Sequence, residues 1–143
     1  MKNDTKILVI VIIIIGLGLV YTSEEVSSLQ NKVEELDRSI VESSVTIDNE
    51  ESAQTYKVNL TRGASALEAL QRVAKVDTKS FKGMGTYVTG INGLYENKAQ
   101  NKYWMVYKLG EENQEWTMLN VGANSYELEE RDNIKFSYEK ASW

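Results

Sequence analysis

The 143-residue chain contains no cysteine, no histidine and no proline. Without Cys, disulfides, thiolate nucleophiles and a lipidated N-terminal cysteine are excluded. Without His, the usual neutral-pH base and the commonest zinc ligand are both missing. Ser/His/Asp and Cys/His arrangements are therefore impossible. No phosphate-binding glycine loop opens a helix, and no segment matches the twelve-residue calcium loop. A basic stripe is also lacking. Residues 55–143 carry 12 basic and 11 acidic side chains, which leaves no electrostatic footprint for nucleic acid. Paired carboxylates could still support glycosidase-type chemistry. The candidates Glu111, Glu112, Glu115, Glu129 and Glu130 sit in polar stretches, where solvated charge is the simpler role. The expectation is a protein that is not an enzyme.

The net charge of -5 is unevenly distributed. Residues 22–54 hold nine acidic side chains against two basic ones, so the acidity belongs to one short region. Before it, Lys2 and Lys6 precede an unbroken apolar run at residues 7–20, closed by Tyr21. With its flanks, the run approaches the length needed to cross a bilayer core of about 30 Å. The segment, residues 1–23, reads as an uncleaved membrane anchor. The competing reading is a cleaved signal peptide, although no Ala-x-Ala-like site follows. Lysines before it and Glu24-Glu25 after it predict a cytoplasmic N-terminus and an extracellular remainder.

Residues 24–54 read as an acidic helical stalk followed by a linker. Val26, Leu29, Val33, Leu36 and Ile40 are spaced 3, 4, 3 and 4, an a/d heptad seam broken at Ser43. The seam predicts either a lone amphipathic helix or a short parallel coiled coil that would make a homodimer. Residues 43–54, polar and acidic, read as flexible linker.

The globular part is expected at residues 55–143. Tyr56, Val58 and Leu60 alternate with polar residues, as in a half-buried strand. Asn59-Leu60-Thr61 is a glycosylation sequon on the outer face, a pattern frequent by chance. Ser65-x-x-Glu68 is a capping box. It opens a short helix with Leu67, Leu70, Val73 and Ala74 on one face. Residues 77–82 read as loop, 86–91 as strand and Asn92-Gly93 as a tight turn. Strands follow at residues 103–108 and 116–121, then a turn at 122–126 and a short extended piece at Glu127-Leu128. A last strand has Ile134, Phe136 and Tyr138 facing inward. One helix among antiparallel strands, without proline, predicts an α+β domain: a small β-grasp-like antiparallel sheet with one packed helix.

Tyr87, Tyr103, Trp104, Tyr107 and Trp116 are more aromatic area than a small sheet needs. Tyr103, Met105 and Tyr107 share one strand face, and Trp104 and Val106 the other. Either both faces are covered by the rest of the domain, or one is a stacking surface for a flat ligand or a partner.

The order of these residues carries a resemblance. Gly85-x-Tyr87-Val88-Thr89-x-Ile91-x-Gly93-Leu94, then Tyr103-Trp104, then Gly122-x-x-x-Tyr126 and Asp132-x-Ile134, resembles the C-terminal domain of the cobalamin carriers transcobalamin and intrinsic factor and their microbial relatives. The similarity spans roughly residues 55–138. It implies a β-grasp-like cap over one face of a corrinoid, with the ligand-facing segment just before a glycine, here Leu119-Asn120-Val121-Gly122. The implied ligand surface is Gly85, Tyr87, Tyr103, Trp104, Leu119, Asn120, Val121 and Gly122, and the implied ligand cobalamin. Three departures stand out. The carriers' helical barrel has no counterpart here, their Gln before that glycine is Val121, and Arg131 stands where relatives often place Gly. The resemblance thus implies a membrane-tethered extracellular ligand-binding module. The alternative is a surface-displayed protein-interaction domain using the same aromatic face or a free strand edge.

Overall fold

The computed structural model describes residues 2–83 and 85–142. Met84 lies outside the described residues, as do the side chains of Lys2, Lys6 and Tyr21. The chain divides into two units, one up to Ser39 and one from Ile40 onward.

The first unit is a single helix, α1 (Lys2–Arg38). The apolar run and the residues that follow it up to Arg38 are therefore one uninterrupted element. It is long and apolar enough to cross a membrane. Thr22, at the junction of the apolar and acidic parts, turns its hydroxyl back onto the carbonyls of Gly18 and Leu19. Ser39 ends the helix by donating its N–H and hydroxyl to Leu36 O.

The second unit is α+β. Its elements are β1 (Ile40–Asp48), β2 (Ala53–Thr61), α2 (Ala66–Val73), β3 (Val76–Phe81), β4 (Gly85–Ile91), β5 (Leu94–Tyr95), β6 (Lys102–Leu109), β7 (Trp116–Met118) and β8 (Asn133–Lys140). A five-stranded sheet runs β2-β1-β8-β6-β7 and a three-stranded one β3-β4-β5. The core lies between the large sheet on one side and α2 with the small sheet on the other. It is built from Val41, Val45, Ile47, Val58, Leu60, Leu67, Leu70, Val88, Ile91, Trp104, Ile134, Phe136 and Tyr138.

Three expectations are corrected. Residues 40–48, read as the end of the stalk and the start of a linker, form β1. Val41, Val45 and Ile47 face the core, while Glu42, Ser44, Thr46 and Asp48 face away. The seam accordingly stops at Leu36, and Ile40 begins a strand. The acidic composition hid a period-2 pattern, since every charge falls on the outward face. The large sheet is also mixed rather than antiparallel, because β1 pairs with β8 in parallel, Val45 opposite Ile134. Finally, of residues 77–82, read as loop, all except the last belong to β3, which pairs with β4 across a bulge at Asp77/Thr78. Residues 78–81 of that strand are exposed, so they carry no hydrophobic alternation to read.

The capping box forms as expected. Ser65 Oγ accepts from Glu68 N, and the Glu68 carboxylate accepts from Ser65 N at 2.7 Å. The backbone bond from Ser65, then its hydroxyl, hold the Glu68 carboxyl below its ordinary pKa. A group depressed on folding stabilises above its unfolded pKa, and that stability is lost as pH falls through the folded value. The double variant Ser65→Ala/Glu68→Ala should therefore lose about 1 kcal/mol at neutral pH. In urea melts, its deficit relative to wild type should shrink in acid; a deficit that stays constant down to pH 2 would contradict this.

Candidate functional site

The free N–H groups of the first turn of α2 are taken up by the loop that follows β7. Ala66 N donates to Tyr126 O and Leu67 N to Ala123 O, each at 3.0 Å, and Leu128 N returns to Ala64 O at 2.9 Å. A helix start needs such acceptors when it is buried. Here they fix residues 123–128 against the helix.

The same loop is held from two further directions. Asn124 Oδ1 accepts from Thr86 N at 2.9 Å, which ties it to the start of β4. Two glycines permit that approach. A Cβ on Gly122 would stand 2.9 Å from Asn124 Oδ1 and 3.1 Å from Thr86 O. Gly85 adopts φ +84°, and its Cβ would lie 3.2 Å from the same Asn124 oxygen. On the other side, Tyr126 donates its hydroxyl to Asp132 Oδ2 at 2.8 Å. Glu129 N donates to that oxygen at 2.9 Å, and Lys108 Nζ lies 2.9 Å from Oδ1. The Asp132 side chain is only 1% exposed, so this is a buried ion pair closed by a tyrosine.

Residues 119–121, by contrast, lead into the anchored loop without being enclosed by it. Leu119 N donates to Val106 O at 2.8 Å, and its side chain is half-buried. Asn120 is exposed, and Val121 is 45% exposed. Leu119 and Asn120 line an open groove of about 380 Å³ together with Lys108, Gly110, Thr117 and Met118.

The expected ligand residues thus fall in four places. Gly85 and Gly122 meet through Asn124, with Leu119, Asn120 and Val121 on the adjoining chain. Tyr87 belongs to the β3–β4 hairpin, where its ring stacks on Phe81 at 5.2 Å. Tyr103 sits half-buried on the face of the large sheet turned away from the core. Trp104 is in the core, which removes it from the expected ligand surface. It is 6% exposed, packs on Tyr138 at 5.3 Å, and donates its indole N–H to Leu94 O at 2.9 Å. A buried indole needs such an acceptor, and β5 supplies it.

Sequence reasoning missed Asn124, Lys108 and Lys135. Asn124 stands in a segment read only as a turn. The Lys135 ammonium lies 5.1 Å from the Tyr107 ring and 4.8 Å from that of Trp116. Tyr107 also hydrogen-bonds Glu139. Part of the aromatic surplus is therefore used in cation–π contacts within the sheet. Among the described residues, no three acidic side chains group as a metal site.

Among curated proteins none matches the chain. Among solved structures, haptocorrin in complex with Cbi is similar with a TM-score of 0.59 and 20% identity. The match covers 73% of this chain but 26% of haptocorrin, so the chain spans about a quarter of that protein's length. A candidate metal-binding protein from Ruminococcus gnavus is similar with a TM-score of 0.58 and 16% identity, over 71% of this chain and 99% of that one. At these identities the likeness is one of fold, and the fold is that of a transcobalamin-like C-terminal domain. The family described as Domain of unknown function (DUF4430) matches residues 63–140, more than half of the chain, and the chain belongs to that family.

Proposed function

We propose that the chain is a membrane-tethered extracellular ligand-binding module that presents Gly85 and residues 119–122 to one face of a corrinoid or a similarly flat ligand. The observation that carries this reading is the contrast within one loop. Residues 123–128 are pinned to α2, β4 and Asp132, while Asn120 and Val121 are exposed and the half-buried Leu119 lines the adjoining groove with Asn120. A rigidly held loop with an exposed apolar tip costs little ordering on binding. The fold shared with haptocorrin, whose structure is a complex with Cbi, supports a corrinoid as the ligand class. In this reading α1 crosses the membrane with Lys2 and Lys6 inside and serves as the stalk that carries the domain.

Leu119 would press on the flat face of the ligand, and Asn120 with nearby backbone groups would meet its peripheral amides. Without histidine the chain supplies no imidazole to cobalt, so a bound cobalamin keeps its own axial base. An open groove desolvates only part of such a ligand, so affinity should be micromolar, about -8 kcal/mol. Titration calorimetry of residues 40–143 with cyanocobalamin should show this binding, and Leu119→Asp should abolish it. No heat at millimolar ligand, or equal binding by the variant, rejects the site.

One observation favours a second reading, a protein-interaction domain. Trp116, Met118 and Val121 are 37%, 50% and 45% exposed along or just beyond β7, a three-residue edge strand. An open edge with apolar side chains can accept a strand from a partner. Rejection of the corrinoid site would leave this reading ahead.

A further inference from the structure

From Glu24 to Arg38 the apolar and polar residues of α1 are completely segregated. Val26 and Val33 occupy a positions and Leu29 and Leu36 d positions of one heptad register. Every b, c, e, f and g position is polar or charged. The four apolar side chains are 53%, 64%, 61% and 64% exposed, in that order. Continuity of the helix carries the register back to Ile12, Ile15 and Leu19, which are exposed as well. A stripe this narrow is the seam of a coiled coil rather than the broader face a helix turns to a globular core.

We infer that this stripe is occupied by a second copy of the chain, in parallel and in register. Three features choose this occupant. β-Branched residues at a with Leu at d favour two strands. One flanking pair is complementary in charge in the parallel arrangement: Lys32 at g faces Asp37 at e of the following heptad on the other copy, while Glu25 at g faces the neutral Gln30 without repulsion. A tether through α1 also orients both copies alike and raises their effective concentration. The stalk then displays two domains together, giving a multivalent partner two equivalent faces to engage.

The absence of native cysteine makes disulfide trapping a clean test on the full chain in membranes or detergent micelles. Leu29→Cys and Leu36→Cys face their own counterparts only in a parallel, in-register pair, whereas Asn31→Cys points outward. Because cysteines with Cα atoms more than about 7 Å apart cannot be bridged, positions 29 and 36 should trap about tenfold more dimer than position 31. Lys32→Asp should lower trapping at position 29, and adding Asp37→Lys should restore it. Sedimentation of the full chain in detergent should give the mass of two chains. Equal trapping at position 31, no trapping at 29 and 36, a monomer or trimer mass, or failure of the charge swap to restore trapping would each overturn the inference.

Discussion

A fragment starting at Thr55 is expected not to fold, whereas one starting at Ser39 should unfold in a single cooperative transition. β1 lies inside the large sheet, paired along its whole length with β2 and in parallel with β8. Removing it exposes β8 as a new edge and detaches β2, whose only sheet neighbour among the described residues is β1. Val41, Val45 and Ile47, at 1%, 0% and 9% exposure, go with it. At about 1.5–3 kcal/mol for each of these three buried aliphatic side chains, the loss is roughly 4.5–9 kcal/mol. That is comparable to the whole stability of a small domain, about 5–15 kcal/mol. The family match begins at residue 63 and so leaves out both β1 and β2. Circular dichroism melts of the two fragments decide the matter. A sharp, reversible transition from the fragment starting at residue 55 would show that β1 is dispensable.

Replacing Asp132 with Ala should lower stability by about 3 kcal/mol, since breaking a buried pair from one side leaves the other charge without its partner. For a domain of this size that is about 10–20 °C in melting temperature. The carboxylate accepts from Tyr126 and from Glu129 N while pairing with Lys108, whose ammonium also lies over the Tyr126 ring at 5.3 Å. Asp132→Asn should cost less, because an amide oxygen can still accept from Tyr126 and the backbone. The pH dependence gives a second readout. Desolvation pulls the Lys108 pKa down, but hydrogen bonds with Tyr126, Asp132 and Glu129 outweigh it and hold the pKa above its ordinary value. Burial first, then Glu139, pushes Tyr107 up to about 12. Groups raised on folding stabilise below their unfolded pKa values, about 10 for Tyr and 10.4 for Lys, and that stability is lost as pH rises through the folded ones. Wild type should therefore weaken progressively above about pH 10. Lys108→Met and Tyr107→Phe should each flatten that decline. A melting temperature unchanged by Asp132→Ala, or a wild-type stability that does not fall in alkali, would show that the cluster contributes little.

Much of the fold was legible because its signals are local. The helix α2 announces itself by Ser65 and Glu68, whose side chains satisfy backbone groups three residues apart. β8 shows alternation at Ile134, Phe136 and Tyr138, all buried. The apolar run at residues 7–20 and the heptad spacing of Val26, Leu29, Val33 and Leu36 could likewise be read without a structure, as could the absence of His and Cys chemistry. β1 was not legible as a strand, since Val41, Val45 and Ile47 lie among acids that only a sheet could sort to one side. Nor could the sequence tell which aromatic residues face inward. Trp104 and Tyr103 are adjacent, and one register step decides which enters the core.

The candidate site divides in the same way. The order of Gly, Tyr and Trp was enough to point to the fold, and it named residues 119–122 as the segment expected to face a ligand. Tertiary structure alone decided that Gly85 and Gly122, 37 positions apart, meet on the amide of Asn124. It also decided that Tyr126 and Asp132 close a buried ion pair with Lys108. The physical reason is distance along the chain. A cap or an alternating strand is fixed by neighbours within a few residues, so its pattern is written locally. A loop gripped by a helix start, a strand end and a buried carboxylate draws its stability from contacts that exist only after the chain has closed on itself, and no local pattern records them.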